Sequence, residues 1–367
     1  MRFYPLVKCS RMLLLVTVTA AALTVRLTSP PIAAAQNNRA KPVKVYILAG
    51  QSNMVGHAKV SLLERQIHAP ETKAEFAHLH HNGQWILRDD VWIRFGDRKG
   101  NLTVGFGARD CIGPELGFGH VMGDRYDQQV LIIKTAWGGK SLARDFRPPS
   151  ARLSEEQLQQ ILDKAREDAR RRNRPEPTLD DIRTQIGFSY RQMIEEVQDS
   201  LANLKEYFPQ YQGQGYELAG FVWFQGWNDM INPEFTAEYV DNMVHFIRDV
   251  RRDLKAPRLP FVIGQMGVGG DKPSSNTVQL KEAQAAAAAH PEFHGNVALV
   301  RTDVFWDKRA QEVYDKGWQQ HLEEWNQVGS DRPYHYLGSV RFFNAAGKAF
   351  AEALLELEKQ GPSHSTR

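Results

Sequence analysis

Apolar residues run along this chain in two rhythms. Five short stretches are apolar almost throughout and stop at glycine or a polar residue: Val43 to Gly50, Val130 to Trp137, Gly220 to Gln225, Pro260 to Gln265 and Val297 to Thr302. None alternates strictly, which predicts strands buried on both faces, as in a parallel sheet. Between them, apolar residues recur at one-face helical spacing. Tyr190, Ile194, Val197, Leu201 and Leu204 make one stripe, and Val240, Met243, Ile247, Val250 and Leu254 another. Gly113 to Tyr126 reads as a helix opened by Pro114, whose missing N–H costs little in a first turn. Gln279 to Ala289 is alanine-rich and favours helix, and Ala345 to Lys359 is a last amphipathic helix. This alternation predicts an α/β fold: a three-layer α/β/α sandwich on a five-stranded parallel sheet, with strand order 2-1-3-4-5.

Two segments interrupt the alternation, at about residues 58–101 and 143–187. The first carries Trp85, Trp92 and three close histidines, His78, His80 and His81. Val91-Trp-Ile-Arg-Phe95 alternates, as an edge strand or small hairpin would. The histidines have no cysteine or carboxylate at ligand spacing beside them, so they read as loop residues and no metal is assigned. In the second segment, Ala151 to Gln185, sixteen of 35 residues are charged, eight of each sign, so it offers no one-signed patch. Ser154-Glu-Glu-Gln157 reads as a capping box. It opens a helix with a narrow stripe of Leu158, Ile161, Leu162, Ala165 and Ala169, broken off by Pro175-Glu-Pro177. The segment follows the second strand's carboxyl end, so it reads either as a solvated insertion or as a lid.

Composition changes the picture in three ways. A hydrophobic share of 42% is enough for a sizeable core, and a net charge of +3 spread along the chain leaves no stripe for nucleic acid. Residues 1–35 read as a signal peptide. Arg2, Lys8 and Arg11 precede an apolar run from Met12 to Val25, and Ala33-Ala-Ala35 fits a cleavage site before Gln36. That run is about 14 residues, short of the roughly 20 that span a bilayer. A secreted or periplasmic protein without stable membrane insertion is expected. The mature chain would keep one cysteine, Cys111, expected to be an inert thiol.

The candidate chemistry gathers at strand ends. The first strand runs into Gly50-Gln-Ser-Asn-Met54, a tight turn with Ser52 at its tip. At a strand's carboxyl end Ser52 is placed to be a nucleophile; alternatively it caps the next helix. The second strand runs into Trp137-Gly-Gly-Lys140, where backbone can approach a ligand closely. The third runs into Gln225-Gly-Trp-Asn-Asp229, where the Asn228 amide could donate to a developing oxyanion and Asp229 could cap a helix. Near the C-terminus, Ser330-Asp-Arg-Pro-Tyr-His335 offers His335 as a base for the serine and Asp331 as the nearest acid.

Gly50-Gln-Ser-Asn-Met54, Gly138-Gly139, Gln225-Gly-Trp-Asn-Asp229 and the late His335 stand in the order of the blocks of SGNH hydrolases. Leu48-Ala-Gly-Gln-Ser-Asn-Met54 and Trp223-Phe-Gln-Gly226 resemble the sialate O-acetylesterase type, a branch with esterases of acetylated xylan. The resemblance implies one esterase domain over residues 41–360, acting on an acetylated carbohydrate without a cofactor. It implies Ser52 as nucleophile and His335 as base. The oxyanion hole would comprise the Ser52 N–H, Gly139 (with Gly138 as the alternative) and Asn228, and Gln225 would line the pocket. The family's acid stands three residues before the histidine, where this chain has Arg332. Asp331, four before, Asp303, or a backbone carbonyl could orient the ring instead. A non-catalytic carbohydrate-binding protein on this scaffold, or a general serine esterase or lipase, are the alternatives.

Overall fold

The computed structural model describes residues 41–360. The expected signal peptide lies outside the described residues. Among those residues no helix is long and apolar enough to cross a membrane.

The main sheet has seven strands: β1 (Val43–Gly50), β2 (Arg88–Phe95), β3 (Arg98–Leu102), β4 (Val130–Ala136), β5 (Tyr216–Phe224), β6 (Phe261–Gln265) and β7 (Val297–Arg301). Their order is β7-β6-β5-β1-β4-β2-β3. The five expected strands are all present, parallel, and in the expected order. The sheet is two strands wider than expected. In the segment before Asn101, β2 pairs parallel with β4, and β3 turns back antiparallel on β2. The alternation of Val91 to Phe95 marks β2 as the strand of a small hairpin expected there, while a register shift between Arg88 and Trp92 and the polar residues of β3 keep the rest out of a search for apolar runs. β5 also starts earlier than expected, because polar Tyr216 and Glu217 pair with the start of β1.

The helices that concern the site are α1 (Ser52–Val55), α2 (Pro114–Arg125), α3 (Glu155–Arg171), α4 (Leu179–Gln185), α5 (Phe188–Ala202), α6 (Trp227–Met230), α7 (Tyr239–Asp253), α8 (Ser275–Ala288) and α9 (Val340–Gln360). Successive side chains of a strand face opposite layers. On β5, Trp223 and Phe221 meet Phe246 of α7, whereas Phe224 meets Phe342 and Phe350 of α9. Both faces are covered, so each central strand must be apolar along its whole length. α2 and α9 press together where Gly117 and Gly347 leave room for each other's backbones.

The capping box at Ser154 forms, and α3 ends at Arg171, before the two prolines. Leu158 and Leu162 of α3 join Ile182 of α4 in a small core of their own, separate from the main one.

Candidate active site

The carboxyl ends of β1, β4 and β5 lie level, since Gly50 is in register with Ala136 on one side and Phe224 on the other. The three turns that follow are therefore neighbours. Gly50 has φ +154, and a Cβ there would sit 2.1 Å from the Phe224 carbonyl oxygen, so only glycine lets β1 turn this tightly. The chain then enters α1, with Gln51 at the cap position and Ser52 as the first helical residue. Ser52 is thus not the cap. It is buried to 7% exposure, and among the described residues its hydroxyl carries no hydrogen bond.

Gln51 stitches the turns together. Its Oε1 accepts the Gly226 N–H at 3.0 Å, and its Nε2 donates to Asn228 Oδ1 at 3.4 Å. Asn228 Nδ2 donates in turn to the Gly139 carbonyl at 3.1 Å. An amide nitrogen has two N–H groups, so Asn228 keeps one for a ligand. The backbone N–H groups of Ser52 and Gly139 make no hydrogen bond among the described residues. Gln51 was not singled out in the sequence; the signal is an amide placed between a buried strand and the serine.

Gln225 departs from expectation. It is 1% exposed, and its Nε2 is spent on the Lys140 carbonyl and the Asp229 carboxylate. It braces the turn from beneath instead of lining a pocket, because its amide ties the loop after β4 to the carboxylate of Asp229. Asp229 is equally buried and does not cap a helix. It takes the N–H groups of Leu142 and Ala143 at 2.9 and 3.0 Å, anchoring the loop beyond Gly139. Burial pushes its carboxyl up to about 6, against hydrogen bonds that favour the charged form.

The other half of the site comes from the turn Pro333–Gly338, which packs on α1. His335 Nδ1 lies 2.9 Å from Asp331 Oδ2. Burial works to raise the Asp331 carboxyl. Contacts from His335, His57 and the Arg332 N–H outweigh it and hold the group well below the ordinary carboxylate range. An ionised carboxylate only accepts, so His335 carries its proton on Nδ1 and leaves Nε2 free. Asp303, the other acid considered, is engaged by Lys281 and Arg301. Asp331 reaches the ring from four residues away because the chain turns between them, the His335 N–H donating to the Arg332 carbonyl at 2.9 Å. Just beyond the ring, Tyr336 and Leu337 have φ of 51 and 61. That conformation costs an ordinary residue on the order of 1 kcal/mol or more. It is held by the Leu337 carbonyl, which takes the N–H groups of Ser330 and Asp331, and by the Tyr336 hydroxyl, which takes the Gly267 N–H. No hydrogen bond joins His335 to Ser52, a bond that commonly tightens only when substrate is present.

The tryptophans divide. Trp92 and Trp223 are core residues, whereas Trp137 and Trp227 are partly exposed beside the site. The Cys111 thiol is buried, which pushes it up to about 11, and it contacts the Arg109 carbonyl. His78 packs against His120 and His80 against Trp85. Sequence reasoning missed His57, which lies against both Asp331 and His335.

A protein of Arabidopsis thaliana is similar at 16% identity, with 86% of this chain and 98% of that one covered and a TM-score of 0.49. The structure of NanS is similar at 18% identity, 87% and 99% covered, TM-score 0.47. A carbohydrate acetylesterase from Xanthomonas citri is similar at 14% identity, 84% and 55% covered, TM-score 0.44. No curated protein matches the chain. The model of one family, described as carbohydrate esterase, sialic acid-specific acetylesterase, matches residues 42–322, which include Ser52, Gly139 and Asn228 and stop short of Asp331. That match spans well over half of the chain, which therefore belongs to the sialic acid-specific acetylesterase family of carbohydrate esterases, hydrolases that act on acetyl esters.

Proposed function

We propose that this chain is an exported carbohydrate O-acetylesterase that works through an acyl-enzyme on Ser52. The observation that carries the mechanism is the 2.9 Å pairing of His335 with Asp331 in a turn packed against the serine's own helix. In the first step Nε2 of His335 takes the Ser52 proton as the oxygen attacks the acetyl carbonyl. Asp331 keeps the imidazole in the right tautomer and stabilises its cation. The N–H groups of Ser52 and Gly139 and the Asn228 amide are the donors for the oxyanion, in a turn already fixed by Gln51 and Asp229. His335 then protonates the departing sugar oxygen. Water, deprotonated by the same nitrogen, releases acetate and restores the serine.

The partly exposed Trp137 and Trp227 offer ring faces for a sugar. Export is inferred from the character of residues 1–35. Purified residues 36–367 should release acetate from an activated ester and from some member of a panel of acetylated glycans. Ser52→Ala and His335→Ala should each lower kcat by roughly a million-fold while the protein stays folded. Unchanged turnover in Ser52→Ala would end the serine mechanism.

A further inference from the structure

The acid end of the site holds a second imidazole. His57 leaves α1 through Gly56, whose φ is +87 and where a Cβ would sit 2.1 Å from the Gly113 Cα. The backbone is thus pressed against a fixed neighbour, and the start of the His57 side chain is fixed with it. Its ring lies flat on His335, with centroids 3.8 Å apart and planes 12° apart. Its Nδ1 is 3.3 Å from Asp331 Oδ2, the same oxygen that faces His335. Tyr334 meets the His335 ring edge-on at 4.6 Å. The His335 imidazole is therefore held across its face by His57, at its edge by Tyr334 and at Nδ1 by Asp331.

His57, Asp331 and His335 bring three ligand atoms within 4.8 Å, a grouping that could suggest a metal site. The contacts among the three residues account for the grouping without an ion: Asp331 Oδ2 pairs with His335 Nδ1 at 2.9 Å, and His57 Nδ1 approaches the same oxygen at 3.3 Å.

We propose that His57 is a positioning residue for the acetylesterase reaction. It fixes the plane of the His335 ring by stacking and fixes the Asp331 carboxylate by a second contact, without touching substrate. The inference rests on the serine mechanism assigned to Ser52 and His335. A misplacement of about 1 Å at a reacting group can cost on the order of a hundred-fold in rate, and that is the loss expected in kcat for His57→Ala. KM should stay within about two-fold, because no substrate contact is removed.

Two further variants separate the contributions. His57→Gln retains a donor for Asp331 but has no ring to stack, and His57→Phe retains the ring but has no donor. Each should recover about ten-fold in kcat over His57→Ala with KM unmoved and with melting temperatures alike in all three variants, whereas a general loss of packing would lower the melting temperature of His57→Ala along with its kcat. The inference is overturned if His57→Ala keeps native kcat while Ser52→Ala is inactive. Should the alanine variant not fold, native kcat in both His57→Gln and His57→Phe overturns it. Turnover retained in Ser52→Ala would instead remove the mechanism beneath it.

Discussion

Ser52 is placed by the sheet: two flanking strands in register with Gly50 fix its height, and a glycine with no room for a Cβ fixes its turn. His335 is placed by a loop, in which two residues with left-handed backbone are tied down by the Leu337 carbonyl and the Tyr336 hydroxyl. The first arrangement depends on a missing side chain and on packed apolar strands. The second depends on polar bonds that balance local strain and on Tyr336 and Leu337 buried in the core, with Tyr336 stacked on Phe342. The serine end should therefore fail together with the fold, whereas the polar contacts of the His335 ring should be open to change without unfolding.

The sharpest test of that contrast is Asp331→Asn. An amide fits the carboxylate's space but favours the wrong tautomer of His335, so kcat should fall by roughly ten-thousand-fold, while thermal stability loses only what the carboxylate's own contacts contribute. An equally large loss of stability would break the contrast. Gly50→Ala should do the opposite, lowering stability by about 3 kcal/mol or more because its Cβ meets the Phe224 carbonyl; denaturant unfolding measures this. Tyr336→Phe should cost about 1 to 3 kcal/mol by leaving the buried Gly267 N–H without its acceptor, with a loss of kcat far smaller than in Asp331→Asn. The smallest effect concerns acid. The Asp331 carboxyl is depressed in the folded protein, so its stabilisation is present above the ordinary aspartate value and is lost as pH falls through the lower folded one. Melting temperatures measured from about pH 5 to pH 2 should fall more steeply for the native protein than for Asp331→Asn.

The sequence made the sheet-built half visible because its cause is local. An apolar run that ends in Gly50-Gln-Ser52 announces a buried strand and a tight turn, and five such runs announce a parallel order. β2 shows in the alternation of Val91 to Phe95, but its charged start and polar β3 are harder to see, and a register shift interrupts their pairing. The loop-built half was only partly visible. Which acid meets His335 depends on the turn closed between Arg332 and His335, and the loop around it is folded back through left-handed Tyr336 and Leu337, a conformation neither residue type advertises. The inward aim of Gln225 depends on the turn after β5, which brings its amide to Asp229 and to the Lys140 carbonyl. His57 left one trace, a histidine set immediately after a glycine that follows the serine turn, but its partner is far away in sequence.

The outermost strand of the sheet, β3, begins Arg98-Lys99, and both residues are exposed. An open edge offers unpaired backbone to any other strand, including the same strand of another copy. Parallel, in-register addition of a second copy there would set Arg98 and Lys99 opposite the same residues of that copy, and like charges opposite each other oppose such pairing. The hairpin that widens the sheet thus also ends it, with a boundary that discourages neighbouring molecules from extending it into an aggregate.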